Sequence, residues 1–550
     1  MKTLKESSFT ENLTPLKSLI FQFEKSYDEE KKKLINSFLA SKTFKSDDFK
    51  HLHQTLLCML AYSNNKVMFD FLNVALFKLV LGIEQNQTLQ TRLVGTGVYQ
   101  TPIECNFSFE KVCFIIEKFP NQVSIHSANS TIETQKASLK LVLPFVEYAK
   151  IHEGEKGLKT RISFFTSCKT QTDLEWLIQS IQQTNLPNET KAFIYNQLGI
   201  FIQWKVSDLD SSVSFLRGPS LPIYFHTKPL DKKINFENTI KRQLPALVKL
   251  NIKEKNSIID SAKMTLFYLY RETEPFKNAN IDDITLFQLD SGISIALFGS
   301  NVAKRYSLES YIGYLVFKNN IPASYGGGWL FGERCQFGIN ILEAFRGGES
   351  SLIICELLRV YHQQFGATRF VVKPYQFGLH NAEAIKTGAF WFYYKFGFRP
   401  ENQDLKELAL KEEKEKLTNP KYKSTTATLK QYTKSNLELV LSTASFPNYD
   451  ADVLSKKMTS YINSQFNGNR ELALDFCFNQ LNKNLELSVQ EWNSVDLEYA
   501  KQISVLCCMK PNSAEWQKKN KKNILLLITL KSSKTELPWI RHLQKFKSFL

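Results

Sequence analysis

Residues 338–400 read GINILEAFRGGESSLIICELLRVYHQQFGATRFVVKPYQFGLHNAEAIKTGAFWFYYKFGFRP, and this stretch decides the predicted fold. A strand-like run stops at the turn Arg346-Gly347-Gly348, after which apolar residues recur at the three- and four-residue spacing of a helix. Gly366 lies where a helix C-cap is expected, and Phe370-Val371-Val372 has the pattern of a buried strand. The order of strand, glycine turn, helix and strand predicts an α/β core with an anion site at the N-terminus of the first helix.

Antiparallel strands are predicted directly before this stretch. Strand-like runs flank the turns Asp290-Ser291-Gly292 and Lys318-Asn319-Asn320, and the run Arg334–Leu342 follows them. We therefore expect an α/β (α+β) fold, with a mixed, mostly antiparallel sheet and helices packed on it. The regions on either side, N-terminal and C-terminal, are expected to be mainly helical.

Shifts in composition predict three domains, at residues 1–216, 235–402 and 425–550. The first boundary is the turn-rich stretch Arg217–Pro222, and beyond Pro400 the sequence becomes charged and helical in pattern. Some local predictions within these domains are more specific. Helices are expected over Leu139–Ala149 and Phe236–Leu250, and a short strand over Ile162–Phe165.

The bulk composition favours a globular protein and argues against several classes. The chain has 550 residues, of which 43% are hydrophobic, and its longest apolar run, Val67–Ile83, is interrupted by Asp70, Asn73 and Lys78. This run predicts a buried helix and no membrane association. The nine cysteines form no CxxC pair and the N-terminus is polar, so we expect a cytoplasmic protein without a metal site.

Positive charge is concentrated at the C-terminal end of the sequence. The net charge is +16, and residues 501–550 contain eleven Lys or Arg residues but only two acids. Such a segment is typical of a surface that contacts nucleic acid or another polyanion. It is also typical of a solvated, lysine-rich surface, and no nucleic-acid-binding motif accompanies it, so nucleic acid is not the favoured partner.

The end of the opening stretch shows a family resemblance. The strand, the Arg346-Gly347 loop, the helix and the next strand are followed by Asn381 and Ala384, and then by Tyr393-Tyr394-Lys395-Phe396-Gly397-Phe398. This order resembles the GNAT superfamily of N-acyltransferases, over about residues 280–402. The resemblance implies direct transfer of an acetyl or other acyl group from an acyl-coenzyme A to an amine acceptor.

The resemblance also implies roles for individual residues. The pyrophosphate of the acyl-CoA co-substrate would lie on Arg346, Gly347, Gly348 and Ser350, with Asn381 facing the pantetheine arm. The backbone at Ile341 and Leu342 would polarise the thioester carbonyl. Two catalytic residues are expected: Tyr393 to protonate the departing thiolate, and Glu333 to accept the proton of the amine.

The acceptor site is predicted less directly. Lys373-Pro374-Tyr375-Gln376 follows a strand where an acceptor cleft would open, which makes Gln376 and His380 candidates for substrate contact. The run Tyr325-Gly326-Gly327-Gly328-Trp329 either forms the floor of the acceptor site, with Tyr325 in contact with the substrate, or is a β-bulge. The sequence leaves both interpretations open.

Two other hypotheses remain. Glu349 and Ser351 stand where the family has glycine or alanine, and a carboxylate beside a pyrophosphate would repel it. The GNAT-like region would then be a degenerate binding module without transfer chemistry. Alternatively, the chain is a scaffold that associates with RNA or another polyanion through its basic C-terminal segment. The oligomeric state is not predicted.

Overall fold

The computed structural model describes residues 9–40, 45–152, 157–166, 171–231, 233–419, 421–442, 450–487 and 492–549. It divides into two compact units rather than three domains. The first comprises Met1–Pro229, Ser257–Thr273 and Lys318–Pro322, and the second comprises Leu230–Asn256, Glu274–Phe317 and Ala323–Leu550. The segment predicted as a separate domain at 425–550 is therefore part of the second unit.

The first unit is mainly helical, as predicted, with one small sheet. Its strands are β1 (Pro102–Cys105), β2 (Val123–Ala128) and β3 (Ile200–Lys205), in the antiparallel order β1-β3-β2. Its helices are α1 (Phe9–Ser18), α2 (Asp28–Leu39), α3 (Ser46–Ala61), α4 (Lys66–Leu81), α5 (Gln87–Arg92), α6 (Phe109–Lys118), α7 (Ile132–Lys140), α8 (Phe145–His152), α9 (Leu158–Thr166), α10 (Asp173–Gln182), α11 (Asn188–Gln197) and most of α13 (Ile252–Tyr268).

Two local predictions in the first unit are wrong. The predicted strand Ile162–Phe165 lies inside the helix α9, where Ile162 is buried. The predicted helix Leu139–Ala149 is two helices, α7 and α8. Pro144 lies between them, and proline cannot continue the hydrogen bonding of the preceding helix.

The second unit is built on an eight-stranded mixed sheet. The strands are β4 (Ala279–Gln288), β5 (Ile293–Ser300), β6 (Ser310–Lys318), β7 (Ile321–Phe331), β8 (Arg334–Ile341), β9 (Arg369–Val372), β10 (Arg399–Pro400) and β11 (Leu437–Val440). Their spatial order is β10-β11-β9-β8-β7-β6-β5-β4. The pairs β4–β5, β7–β8, β9–β11 and β10–β11 are antiparallel, whereas β8–β9 is parallel. A mixed, antiparallel-rich sheet with helices is confirmed.

Parallel strands need a crossover of about a dozen residues or more, usually a helix, and here the helix α15 (Ser350–Phe365) connects β8 to β9. Its fully buried residues Leu357, Leu358 and Tyr361 share a core with Phe337 on β8. Gly366 ends the helix in the left-handed conformation, with a φ of 71°, as the sequence predicts.

The remaining helices of the second unit follow the chain. They are α12 (Phe236–Lys241), α14 (Glu274–Lys277), α16 (Ala382–Thr387), α17 (Ala389–Tyr394), α18 (Gln403–Thr418), α19 (Thr426–Tyr432), α20 (Ala451–Phe466), α21 (Arg470–Leu485), α22 (Ser494–Cys508), α23 (Ser513–Lys519), α24 (Lys521–Lys531) and α25 (Leu537–Lys545). The helix predicted over Phe236–Leu250 ends at Lys241, where Arg242 is extended. Within the described residues, no helix combines the length and the apolar content needed to cross a bilayer.

The strand β11 explains why residues 425–550 do not form a separate domain. Leu437–Val440 inserts between β9 and β10, and pairs antiparallel with both. Because Leu437 is fully buried and belongs to the same core as Phe370 of β9, this segment completes the sheet.

A buried lysine in the second unit gives a test of this packing. Lys531 is 2% exposed, and its ammonium lies 3.6 Å from the centre of the Trp539 ring and 3.3 Å from the carbonyl oxygen of Glu309. Burial lowers the pKa of Lys531 to about 7. We expect Lys531→Met to raise the free energy of unfolding by about 1–4 kcal/mol, since the lowered pKa means that the charged lysine costs free energy in the folded chain, and methionine keeps most of the volume.

The gain from Lys531→Met should depend on pH. The Lys531 side chain is protonated below pH 10.5 in the unfolded chain but only below about pH 7 in the folded chain. The loss of folding stability that Lys531 causes therefore grows as the pH falls from 10.5 to 7. Thermal unfolding of both proteins at pH 7 and pH 10 measures this. A difference in melting temperature that is no larger at pH 7 than at pH 10 would contradict the buried position of the charge.

Candidate functional site

The loop from β8 to α15 ends at a helix N-terminus with free backbone donors. The first helical bond runs from the Ile353 N–H to the Glu349 carbonyl at 2.9 Å, which leaves the N–H groups of Ser350, Ser351 and Leu352 without an acceptor in the helix. Gly347 has a φ of 85°, and a Cβ built on it would meet nothing within 4 Å. Glycine is therefore required here by the backbone conformation, and the space beside it is open.

Two cations lie at this helix N-terminus. Arg346 precedes it in the loop, as predicted. Lys395, from the end of α17, donates a hydrogen bond from Nζ to Ser351 Oγ at 2.6 Å. The Lys395 ammonium also lies 5.0 Å and 4.8 Å from the ring centres of Phe392 and Phe396. Burial lowers the pKa of Lys395 from its ordinary value, while the nearby Cys355 opposes that effect.

Two acidic side chains, Glu383 and Glu349, lie where an anion would bind at the N-terminus of α15. Arg346 forms an ion pair with Glu383, the second residue of α16, and donates from Nε to the Ile341 carbonyl at 3.3 Å. The side chains of Arg346 and Glu383 are 53% and 62% exposed, so an incoming anion meets little resistance from this pair. Glu349 is 6% exposed and occupies the N-cap position of α15, without a side-chain capping bond.

The parallel strands β8 and β9 separate beside the loop. Their pairing covers only Arg334–Gln336 of β8, although β8 continues to Ile341. After β9 the chain forms a short helical turn at Pro374–Phe377, so the pairing with β8 does not continue. Residues 337–341 of β8 therefore pair with no described strand on the side of β9, and we call this unpaired edge the β8–β9 gap.

Backbone groups of β8 point into the β8–β9 gap. The Leu342 N–H donates to the Ala323 carbonyl at 2.9 Å, which fixes the alternation of the antiparallel ladder with β7. The N–H groups of Phe337, Ile339 and Ile341 consequently point toward the side of β9. Of the two predicted backbone donors, Ile341 therefore faces the gap, whereas the N–H of Leu342 is already paired with β7.

The side chains of Tyr314 and Gln376 lie against Gly338, and Tyr393 is hydrogen-bonded to Gln376; we call these four residues the Gly338 cluster. The Tyr314 hydroxyl donates to the Gly338 carbonyl at 2.9 Å. A Cβ placed on Gly338 would lie 3.1 Å from Nε2 of Gln376, and the hydroxyl of Tyr393 donates to Oε1 of Gln376 at 3.4 Å. The structure thus brings together the predicted residues Tyr393 and Gln376, and adds Tyr314.

The two tyrosines of the Gly338 cluster are held in the neutral form. Tyr393 is 2% exposed and Tyr314 is fully buried. Burial raises the pKa of Tyr393, and it raises that of Tyr314 well above the ordinary value. At neutral pH both hydroxyls keep their protons and can donate hydrogen bonds, although the raised pKa makes each a weaker acid than an ordinary tyrosine.

The glycine run Gly326–Gly328 of β7 is not a bulge, because the register with β8 is unbroken from Ser324 to Phe331. A Cβ on any of the three glycines would instead collide with a tyrosine side chain. The tyrosine is Tyr314 for Gly326, Tyr311 for Gly327 and Tyr361 for Gly328. The glycines therefore admit these three rings against the strand. Tyr325, the predicted substrate contact, is 8% exposed and pairs with Asn340.

The other predicted site residues have different surroundings. Asn381 caps α16, accepting from the Ala384 N–H at 3.1 Å and donating to the Tyr375 carbonyl at 3.2 Å, so its side chain is engaged locally. His380 is exposed, with a left-handed φ of 54°. Glu333 lies in the β7–β8 turn, at the opposite end of β8 from Arg346.

Glu333 does not belong to the site. An eight-residue strand spans about 26 Å, which separates it from the loop. Its carboxylate accepts a hydrogen bond from Thr368 Oγ1 at 2.9 Å, and its carbonyl accepts from the Thr368 and Arg369 N–H groups at 2.9 Å and 3.2 Å. Glu333 thus fastens the start of β9 to the hairpin turn.

No family model, curated protein or solved structure matches this chain. Among the described residues, no group of three or more His, Cys, Asp or Glu side chains is arranged to hold a metal ion.

Proposed function

We propose that the second unit is an acyl-CoA-dependent N-acyltransferase of the GNAT type, which moves an acetyl or acyl group directly to an amine. The observation that carries this proposal is the β8–β9 gap, which lies between the cationic N-terminus of α15 and the buried hydroxyl of Tyr393. The resemblance of Asn381–Phe398 to the family is independent support.

The α15 N-terminus suits the pyrophosphate of an acyl-CoA. Free N–H groups, the positive end of the helix dipole and the cations Arg346 and Lys395 all favour an anion there. The pantetheine arm would continue along the β8–β9 gap, where it can pair with the free backbone edge of β8. The thioester carbonyl would accept from a backbone N–H of that edge, at Ile339 or Ile341.

The acceptor would approach on the face of the sheet opposite α15. On β8, Gln336 and Gly338 are partly exposed and Asn340 is exposed, whereas the alternating Phe337 and Ile339 are buried in the core with α15. Tyr325 of β7 lies on the same open face by strand alternation. Gln376 lies at the edge of this strip, which supports its predicted contact with the acceptor.

The transfer step follows from these positions. The nitrogen of a neutral amine attacks the thioester carbonyl carbon, a C–N bond forms, and the C–S bond breaks. The proton of the amine passes to solvent, since the Gly338 cluster contains no carboxylate. Tyr393 gives its phenolic proton to the departing sulfur and recovers one from solvent.

The degenerate binding module remains the second candidate, because Glu349 is buried at the N-cap of α15 and Arg346 is paired with Glu383. A thiol-release assay separates the two. The protein is incubated with acetyl-, propionyl- and palmitoyl-CoA and with a mixture of polyamines, amino sugars and peptides. Thiol release that Arg346→Ala abolishes supports the transferase. Acyl-CoA binding without thiol release favours the binding module.

Substitution of Glu383 is expected to strengthen the binding of acetyl-CoA, whereas most substitutions at a binding site weaken it. Its carboxylate occupies Arg346 in the absence of ligand, so Glu383→Gln should free the guanidinium and tighten acetyl-CoA binding by about two- to fivefold. Equilibrium titration measures this, with Glu407→Gln on α18 as a charge-matched control. An unchanged or weaker affinity in Glu383→Gln would remove Arg346 from the anion site.

A further inference from the structure

The C-terminal helices α23 and α24 form an open groove with an unusual lining. Its walls are Lys518, Lys519, Lys521, Lys522, Leu525, Leu526 and Thr529, and it encloses about 620 Å³. We call these seven residues the lysine groove. The four lysines come from five consecutive positions, and no acidic residue is among the lining residues.

The four ammonium groups are not held in ion pairs in the part of the chain that the structure describes. None of them forms an ion pair or a hydrogen bond with a described residue. Lys518 and Lys519 lie in the last turn of α23, where the helix dipole favours a cation. Lys521 and Lys522 lie in the first turn of α24, which contains no acid, so the dipole opposes them.

This arrangement is electrostatically unfavourable by itself. Four like charges repel one another, and two of them also stand at the positive end of a helix. A bound polyanion would relieve both effects at once. Violations of local rules of this kind are expected where a surface has a function.

The residue types that line the lysine groove favour one class of binding partner over the others. Protein interfaces rely on aromatic and arginine anchors, and the lining contains neither. Insertion into a membrane surface requires a substantial apolar face, but only Leu526, at 38%, is among the large exposed apolar residues here. Lysine ammonium groups on an open surface suit a chain of phosphates.

We propose that the lysine groove binds the phosphate backbone of a nucleic acid, without recognition of base sequence. The lining has no aromatic ring to stack on bases and no arginine, asparagine or glutamine fork to read base edges, and lysine contacts to phosphate carry no sequence information. The inference does not depend on the acyltransferase proposal, because the groove shares no residue with the α15 loop or the Gly338 cluster.

The test is fluorescence anisotropy of a labelled 20-nucleotide polyuridine with the full-length protein, in KCl from about 50 to 300 mM. The variant changes Lys518, Lys519, Lys521 and Lys522 to Gln. A control of equal net charge changes four other exposed lysines to Gln, namely Lys406, Lys411, Lys414 and Lys421. Circular dichroism of all three proteins verifies that they fold alike.

We expect the groove variant to lose about 10²-fold in affinity at 50 mM KCl, and its plot of log affinity against log salt to be shallower by about 3, as for four lost phosphate contacts. The control should stay within about threefold of the wild type. A mixed-sequence RNA should bind as tightly as polyuridine.

Three results would overturn the proposal. One is the absence of RNA binding by the wild type at 50 mM KCl. Another is an equal loss in the control, which would mean that only net charge matters. The third is groove-dependent binding to vesicles of phosphatidylcholine and phosphatidylserine without binding to RNA, which would assign the groove to a membrane surface. None of these results bears on acyl-CoA binding.

Discussion

Replacing Tyr393 by Phe is expected to lower the turnover of acyl transfer by about 10²-fold or more, while the affinity for acyl-CoA changes less than about twofold. The hydroxyl is buried, neutral and hydrogen-bonded to Gln376, so its removal takes away the proton for the departing sulfur and little else. Steady-state kinetics, together with equilibrium titration of acetyl-CoA, separate the two effects.

Tyr394→Phe is the matched control for this experiment. Tyr394 is the next residue and is 3% exposed, but its hydroxyl donates to Glu413 Oε2 at 2.8 Å, which is not in the Gly338 cluster. Its loss should leave turnover within a few-fold of the wild type. If Tyr393→Phe retained the wild-type rate, or raised KM at constant kcat, Tyr393 would not be the proton donor.

The leaving group offers a further check on Tyr393. A thioester of a more acidic aryl thiol expels a stable thiolate, which needs no proton from the protein. The loss of turnover in Tyr393→Phe should therefore shrink with such a substrate. An equal loss with both thioesters would indicate that Tyr393 positions the substrate and does not donate a proton.

Gly326→Ala is expected to lower the free energy of unfolding by about 1–3 kcal/mol and to disturb the Gly338 cluster. A Cβ at this position would lie 2.5 Å from the Tyr314 hydroxyl and even closer to the Gly338 carbonyl oxygen. Because the carbonyl belongs to the neighbouring strand, the clash cannot be relieved by rotating one side chain. Chemical denaturation measures the loss.

Gly338→Ala is the informative comparison for Gly326→Ala. The new Cβ would meet Nε2 of Gln376 at 3.1 Å, at the end of a flexible side chain that can move. We expect a smaller loss of stability but a lower rate of transfer, since Gln376 would shift away from Tyr393. If Gly326→Ala were no less stable than Gly338→Ala, the close packing of Tyr314 on β7 would be contradicted.

The sequence predicted the central sheet well where local patterns define the strands. The turns at Asp290–Gly292 and Lys318–Asn320, the helix α15 and its cap at Gly366 follow directly from residue type and spacing. The strand β11 was not predicted, because four residues between helices give too short a pattern. Its place between β9 and β10 depends on partners distant in the sequence.

The candidate site could be predicted only where a motif names its residues. The structure places Tyr393 beside Gln376 and Arg346 in the loop before the N-terminus of α15, and their functional roles stay predictions. Glu333 was predicted as the base because it lies thirteen residues before Arg346 in the sequence. Most of that interval is the extended strand β8, so the two residues lie far apart in space.

Two site residues were not assigned from the sequence. The contact between Lys395 and Ser351 depends on the packing of α17 against α15, which no local pattern reveals. Tyr314 had one available signal, the three glycines of β7, since a strand with so many glycines must make room for large neighbouring side chains.

Isothermal titration of acetyl-CoA into the wild type, Arg346→Ala, Lys395→Ala and the control Lys406→Ala tests the central proposal most directly. We expect saturable binding by the wild type and the control, and about a tenfold or greater loss of affinity in each of the other two, since each removes a charge-assisted bond to phosphate. The absence of binding by the wild type, or equal affinity in all four proteins, would contradict an acyl-CoA site at the N-terminus of α15.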